Sequence, residues 1–295
     1  MDAGNLPSNS LWSGAASGAS SRSLGRLLNP LRLAVSLWDH RQLIREFTRR
    51  EVLGRYRGAS LGVLWSFLTP LMMLAVYAFV FRVVFDARWG SKAEESQGGF
   101  AMTMFCGMCV YQVFSECLTR APSLIVGNVN YVKKVVFPLE ILPVAVLGSA
   151  MVHLAVSMAL LIVAVAIAYG TVGPPLACLP IVLLPVALIS LGLSWLLASL
   201  GVYIRDVGHA IGVVVQVLFF LTPVFYPISA VPGAFQFWMR LNPLTDVVEQ
   251  ARRVVIYQQF PDWQAVGVGI IVGAVICQLG YAWFMKTKRG FADVL

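Results

Sequence analysis

"ILPVAVLGSAMVHLAVSMALLIVAVAIAYGTVGPPLACLPIVLLPVALISLGLSWLLASLGVYI" occupies residues 141–204, 64 positions without a single Asp, Glu, Lys or Arg. As one α-helix it would reach about 96 Å, at about 1.5 Å per residue. A bilayer core is about 30 Å thick and is crossed by about 20 apolar residues. The stretch must therefore turn back on itself. Gly170-Thr-Val-Gly-Pro-Pro175 is the place, because clustered Gly and Pro break helices. Two spanning helices follow, near 138–169 and 176–203.

The same reasoning extends outward. Further apolar runs fall at about 61–85, 100–121, 207–226 and 264–285. The chain is 58% hydrophobic and only 12% charged, where soluble chains carry about 25% charge. The expected fold is an all-α integral membrane protein with six transmembrane helices in a domain over residues 31–295. Residues 1–30 are rich in Ser, Gly, Asn and Arg and lack the apolar centre of a signal peptide. They read as a disordered cytoplasmic tail.

Charge orients these spans. With six spans both ends lie on one side, which receives Arg22, Arg26, Arg32, Arg41, Arg45, Arg49, Arg50, Arg55, Arg57, Arg120, Lys133, Lys134, Arg205, Lys286, Lys288 and Arg289. The other side holds Arg82, Arg88, Lys92, Arg240, Arg252 and Arg253, balanced by Asp86, Glu94, Glu95, Asp246, Glu249 and Asp262. The whole net charge of +8 thus falls on one side, which the positive-inside rule makes cytoplasmic. The surplus reads as membrane orientation, not as a nucleic-acid partner.

The basic residues are densest just before the first span. Residues 39–57 read as an amphipathic helix in the interface plane, with Leu37, Ile44 and Phe47 on one face and Arg41, Arg45 and Arg49 on another. Asp39 is placed to cap it with Gln42 as capping-box partner, and Trp38 and Leu43 to form a hydrophobic staple. Gly54, Gly58 and Gly62 recur every four residues and permit close helix approach.

Motifs exclude several chemistries. A P-loop needs Lys after Gly before Ser or Thr, and no Lys here follows a Gly. If ATP drives this protein, another chain hydrolyses it. Gly58-Ala-Ser-Leu-Gly62 matches a hydrolase elbow but lacks the strand and partners that motif requires. Cys106 and Cys109 have no companion pair or nearby His and read as packing residues. No catalytic or metal-ligating set emerges. Glu116 and Arg120 are spaced as a helical ion pair, and Gln112 and Glu116 share a face, so the group reads equally as structural pairing or as the lining of a conduit. His153 stands alone in mid-span and reads as an interhelical hydrogen-bond former.

Two connections stand out. Residues 122–138, between two prolines, allow a short helix capped by Asn128 or Asn130 that presents Lys133 and Lys134 to a soluble partner. The external segment 227–262 is too polar to span and too apolar for an open loop. Phe219–Trp263 carries ten aromatic residues in 45. They form either an interfacial aromatic belt or short helices dipping into the membrane around an exit.

In this order the blocks "RREVLGRYRGASLGVLWSFLTPLMMLAVYAFVF", "NVNYVKKVVFPLEILP", "GVYIRDVGHAIGVVVQVLFFLTPVFYP", "LNPLTDVVEQARRVVI" and "FADVL" resemble the membrane subunit of ABC-type polysaccharide exporters, the permeases for lipid-linked O-antigen, capsule or teichoic acid chains. The resemblance covers about residues 39–295. It implies a homodimer in the bacterial inner membrane, with both termini cytoplasmic, over a pair of P-loop ATPase subunits. ATP and magnesium would sit in those subunits and no cofactor in this chain. It implies an interface helix bearing Arg41, Arg45, Arg49 and Arg50. It also implies an ATPase-coupling surface of Asn128, Asn130, Tyr131, Lys133, Lys134, Arg205 and Asp206, and external gate helices. A polyprenyl-linked glycan would pass between the subunits, with Trp65, Tyr77, Gln112, Glu116, Arg120, Tyr226, Phe237, Trp238 and Tyr257 as conduit or gate candidates. An ABC-type exporter of a drug or other lipid is the alternative reading. An ion-coupled secondary transporter is a further one, with Glu116 its only candidate coupling acid.

Overall fold

The computed structural model describes residues 30–57, 59–80, 99–133, 137–170 and 172–295. The expected tail, Gly58, the far end of the first span with Arg82, and Lys134 lie outside the described residues. Among the described residues every regular element is helical. They are α1 (Pro30–Asp39), α2 (Arg41–Arg55), α3 (Trp65–Tyr77), α4 (Gly99–Val126), α5 (Val129–Lys133), α6 (Ile141–Tyr169), α7 (Leu179–Tyr203), α8 (Val207–Leu221), α9 (Gly233–Arg240), α10 (Pro243–Val255), α11 (Trp263–Thr287) and α12 (Phe291–Val294).

Among the described residues four segments are long and apolar enough to cross a membrane: α4, α6, α7 with its 3-10 lead-in from Pro174, and α11 continued to Val294. The chain is a multi-pass membrane protein. The apolar helices Trp65–Val80 and Val207–Leu221 are shorter. At 15 residues, α8 stops at Leu221 and does not reach Tyr226 as the apolar run suggests. Thr222–Tyr226 turns instead, because Pro223 offers no N–H and the carbonyls of Pro223 and Val224 are taken by Arg252. The turn after α6 does fall on Gly170. Its φ of 78° is a left-handed C-terminal cap that a side chain would strain.

The core is built by close crossings. Helix α4 is the central element, buried over most of its length against α6, α7, α8 and α10. Helices α7 and α11 approach so closely that a β-carbon on Gly280 would lie 1.9 Å from Gly192 O. Apolar side chains gain little by leaving lipid for protein, so membrane helices associate through small residues that let backbones touch. Helix α4 also runs through Pro122, where the sequence suggests a boundary. Gly201 of α7 packs there, with room for no β-carbon: one would stand 2.2 Å from Pro122 O. Neighbouring helices make such a proline tolerable within a membrane bundle.

At the N-terminal side the structure corrects the expected helix start. Asp39 ends α1 and does not cap α2. His40 stands at the joint, its Nδ1 2.7 Å from Ser36 O, and α2 has no side-chain cap. Among the described residues the amphipathic unit therefore includes α1, Pro30–Asp39, ahead of α2. Trp38 is 69% exposed, with the Arg41 guanidinium 5.3 Å from its ring centre, and so is no buried half of a staple.

Candidate functional site: the charged end of the bundle

Helix α2 is the key element. Its Arg41, Arg45, Arg49 and Arg50 are exposed, while Ile44, Phe47 and Thr48 turn inward. Gly148 of α6 lets Thr48 close in: a β-carbon there would meet Thr48 Oγ1 at 2.7 Å. Arg50 donates to Tyr131 Oη of α5 at 3.0 Å. The Tyr131 ring stacks on Phe137 with centroids 4.7 Å apart, and Phe47 packs against both. The short helix α5 is thus joined to α2 by a hydrogen bond and an aromatic cluster.

One turn further along, ion pairs join α2 to α4. Arg55 donates to Glu116, which is only 8% exposed. Arg120 donates to Glu51. The Glu116–Arg120 pair expected from spacing is present at 3.6 Å, but Arg55 holds Glu116 more tightly. The hydroxyl of Tyr56 lies 3.3 Å from His153 Nδ1 of α6, so His153 does make an interhelical hydrogen bond. Burial raises the Tyr56 phenol above its ordinary value, so the hydroxyl stays neutral.

Two cavities flank this joint. A vestibule of about 840 Å³ is lined by Arg50, Glu51, Arg55, Tyr56, Arg57 and Arg120. A chamber of about 420 Å³ lies between α2, α3, α4 and α6. It brings together Tyr77, Gln112 and Glu116, three of the conduit candidates, with Arg55, Tyr56 and His153. Arg120 faces the vestibule, and Trp65 lines neither cavity.

The remaining residues of this end are placed as follows. Asn130, Lys133, Arg205 and Asp206 are exposed. Asn128 donates its Nδ2 to Leu124 O at 2.8 Å and so secures the end of α4, where the sequence suggests a cap for the next helix. Below α5, Phe291 of α12 is fully buried against Phe284 and Tyr203. Lys288 pairs with Glu140 at 2.6 Å, and the Glu140 carbonyl accepts from Trp195 Nε1 at 2.9 Å.

The other end carries the aromatic segment. Phe237 and Trp238 of α9 are 68% and 66% exposed and pack edge to face. Tyr257 is exposed, and Tyr226 closes its own turn by donating to Phe220 O at 2.7 Å. Helix α10 is buried against α4 and α7. Arg252, counted above with the external charges, is 0% exposed. It donates to Thr103 O at 3.0 Å, Pro223 O at 2.8 Å, Val224 O at 2.7 Å and Glu249 Oε1 at 2.9 Å. Sequence reading missed this rivet, although an Arg on the apolar face of a helix beside Ala251, Val254 and Val255 was a usable signal. Among the described residues no His, Cys, Asp and Glu cluster could hold a metal.

Comparison with known proteins bears on this arrangement. The family described as ABC-2 type transporter matches residues 42–256. The O-antigen export system permease protein RfbA of Myxococcus xanthus is 28% identical over 271 residues, covering 89% of this chain and 99% of the relative. Two proteins of the same description from Klebsiella pneumoniae are 23% identical over 251 residues and 22% over 255, each covering 84% of this chain and 93% of the relative.

Proposed function

Because the chain belongs to the ABC-2 type transporter family, we propose that it is the membrane-spanning subunit of an ATP-driven exporter that moves lipid-linked polysaccharide, specifically O-antigen, across the bacterial inner membrane. The observation that carries this reading is the likeness over 84–89% of the chain to permeases described as serving O-antigen export. The protein is then a transport component, and hydrolysis belongs to a separate pair of P-loop ATPase subunits that hold ATP and magnesium.

In this reading six segments span the membrane, α3 and α8 included, and both termini are cytoplasmic. The basic residues around α2, α5 and the α7–α8 joint support that orientation. The ATPase meets Asn130, Lys133, Lys134, Arg205 and Asp206, while Asn128 and Tyr131 hold α5 in place. Arg41, Arg45 and Arg49 of the interface helix face the headgroup region. Two copies form the pathway. The glycan leaves past Tyr226, Phe237, Trp238 and Tyr257, whose rings suit the C–H faces of sugars.

The test is deletion of the coding sequence in the native host. Surface polysaccharide should disappear and lipid-linked glycan should accumulate inside the membrane. A second copy of the gene should restore export. Undiminished surface polysaccharide in the deletion strain would refute the assignment.

A further inference from the structure

The two cavities at the charged end meet at Arg55 and Tyr56, which line both. They differ in charge. Among the described residues the vestibule is lined by Arg50, Arg55, Arg57 and Arg120 against Glu51 alone. Among the described residues the charged side chains of the chamber are Arg55 and Glu116, and these are paired to each other. Its other polar groups are neutral hydrogen-bonding ones, including Thr69, Tyr77, Gln112 and Ser157. His153 Nε2 is buried and has no partner among the described residues. From Glu116 to Phe105 the chamber follows α4 inward for about 16 Å, at about 1.5 Å per residue.

We propose that the chamber binds an uncharged, hydroxyl-bearing head group, that anionic phosphate stays outside in the vestibule, and that the Arg55–Glu116 pair sets this division. The inference rests on the reading of the chain as an exporter of lipid-linked glycan and deepens it by assigning the two halves of such a head group to two cavities. A phosphate drawn into the chamber would leave water and stand beside the Glu116 carboxylate, with the nearby cations Arg55 and Arg120 already engaged by Glu116 and Glu51. An ion taken out of water without a counter-charge is strongly disfavoured. A hydroxyl both donates and accepts, and it matches the amide of Gln112 and the imidazole Nε2 at no charge cost. Phe105, Met108 and Leu154 cover the carbon frame.

The test uses the full permease–ATPase complex in membrane vesicles, with the five cysteines replaced and Ser157→Cys introduced as a reporter in the chamber. The rate of maleimide labelling is measured with octyl glucoside or octyl phosphate below their micelle concentrations. These probes share an alkyl chain and differ in head group. Octyl glucoside should slow labelling several-fold and octyl phosphate should not. Glu116→Gln leaves Arg55 without its counter-charge, and in that variant octyl phosphate should now protect. Equal protection by the two probes, no protection by either, or a Glu116→Gln chain that still ignores phosphate overturns the proposal. If Glu116→Gln fails to insert, Arg55→Met with Glu116→Leu removes both charges. Glucoside protection must then persist without phosphate protection, and its loss overturns the proposal. The assay contains no host glycan, so a chain that exports some other cargo could still pass it, and a proven O-antigen exporter could still fail it.

Discussion

A β-carbon at Gly107 would stand 2.8 Å from Arg252 Nη2, so these two residues define one close passage between α4 and α10. Arg252 there satisfies the carbonyls of Thr103, Pro223 and Val224. Each buried polar group left without a partner costs about 1–3 kcal/mol. Arg252→Met should therefore destabilise the detergent-solubilised protein by several kcal/mol, and Gly107→Leu should do the same by displacing the guanidinium. Thermal unfolding checks both. An unchanged midpoint in either variant would mean the rivet carries no stability.

Gly280 stands against Gly192 O with no room for a side chain. Gly280→Leu forces α7 and α11 apart, and overpacking of this kind costs typically about 1–3 kcal/mol. The Ser199–Thr287 hydrogen bond at 2.7 Å on the same helix pair should be lost with it. The expected readout is a lower melting midpoint and poorer yield of folded protein, whereas Gly267→Leu, at a position with open space around it, should be tolerated.

Tyr131 separates two roles within one side chain. Tyr131→Phe keeps the stack on Phe137 and loses only the exposed bond to Arg50, worth about 0.5–1.5 kcal/mol. Tyr131→Ala removes the ring that joins α5 to α2. Co-purification of the ATPase subunit and cellular export should be near normal for the first and clearly reduced for the second. Equal behaviour of the two variants would rule out the ring as the joint.

Lys133 is exposed next to that joint, and Lys134 follows it in sequence. Exposed pairs are worth under about 1 kcal/mol each, so one neutral substitution should do little. Reversal of both lysines to Glu should lower ATPase capture and export while leaving the permease folded. Wild-type capture by the doubly reversed chain would move the docking surface toward Arg205 and Asp206.

Phe237 and Trp238 project from α9 without burial. Their joint replacement by Ala should change stability by no more than about 0.5 kcal/mol, as surface substitutions usually do. If these rings carry the emerging glycan, export should fall all the same. Full export in that variant would leave them as an interfacial belt only.

What the sequence alone determined is one-dimensional. An uncharged run far longer than a bilayer must fold into two helices, and Gly170 must end the first, because span length and helix-breaking are local properties. The amphipathic character of α2 was legible in the same way, as was the concentration of positive charge at one end. Partner choice was not. The i,i+4 rule correctly paired Glu116 with Arg120, yet Arg55, 61 positions away, is its tighter partner. Arg252 was counted with the surface charges until its bond to Thr103, 149 positions distant, showed it buried. Tyr77, Gln112 and Glu116 were each candidates, but only helix crossing brings them to one chamber. Those crossings are set by contacts such as Gly192 on Gly280, where two backbones meet, and Gly148 on Thr48, where the missing side chain makes room for a neighbouring one. Spacing along a chain records which residues share a helix face, and only the packed bundle decides what that face is pressed against.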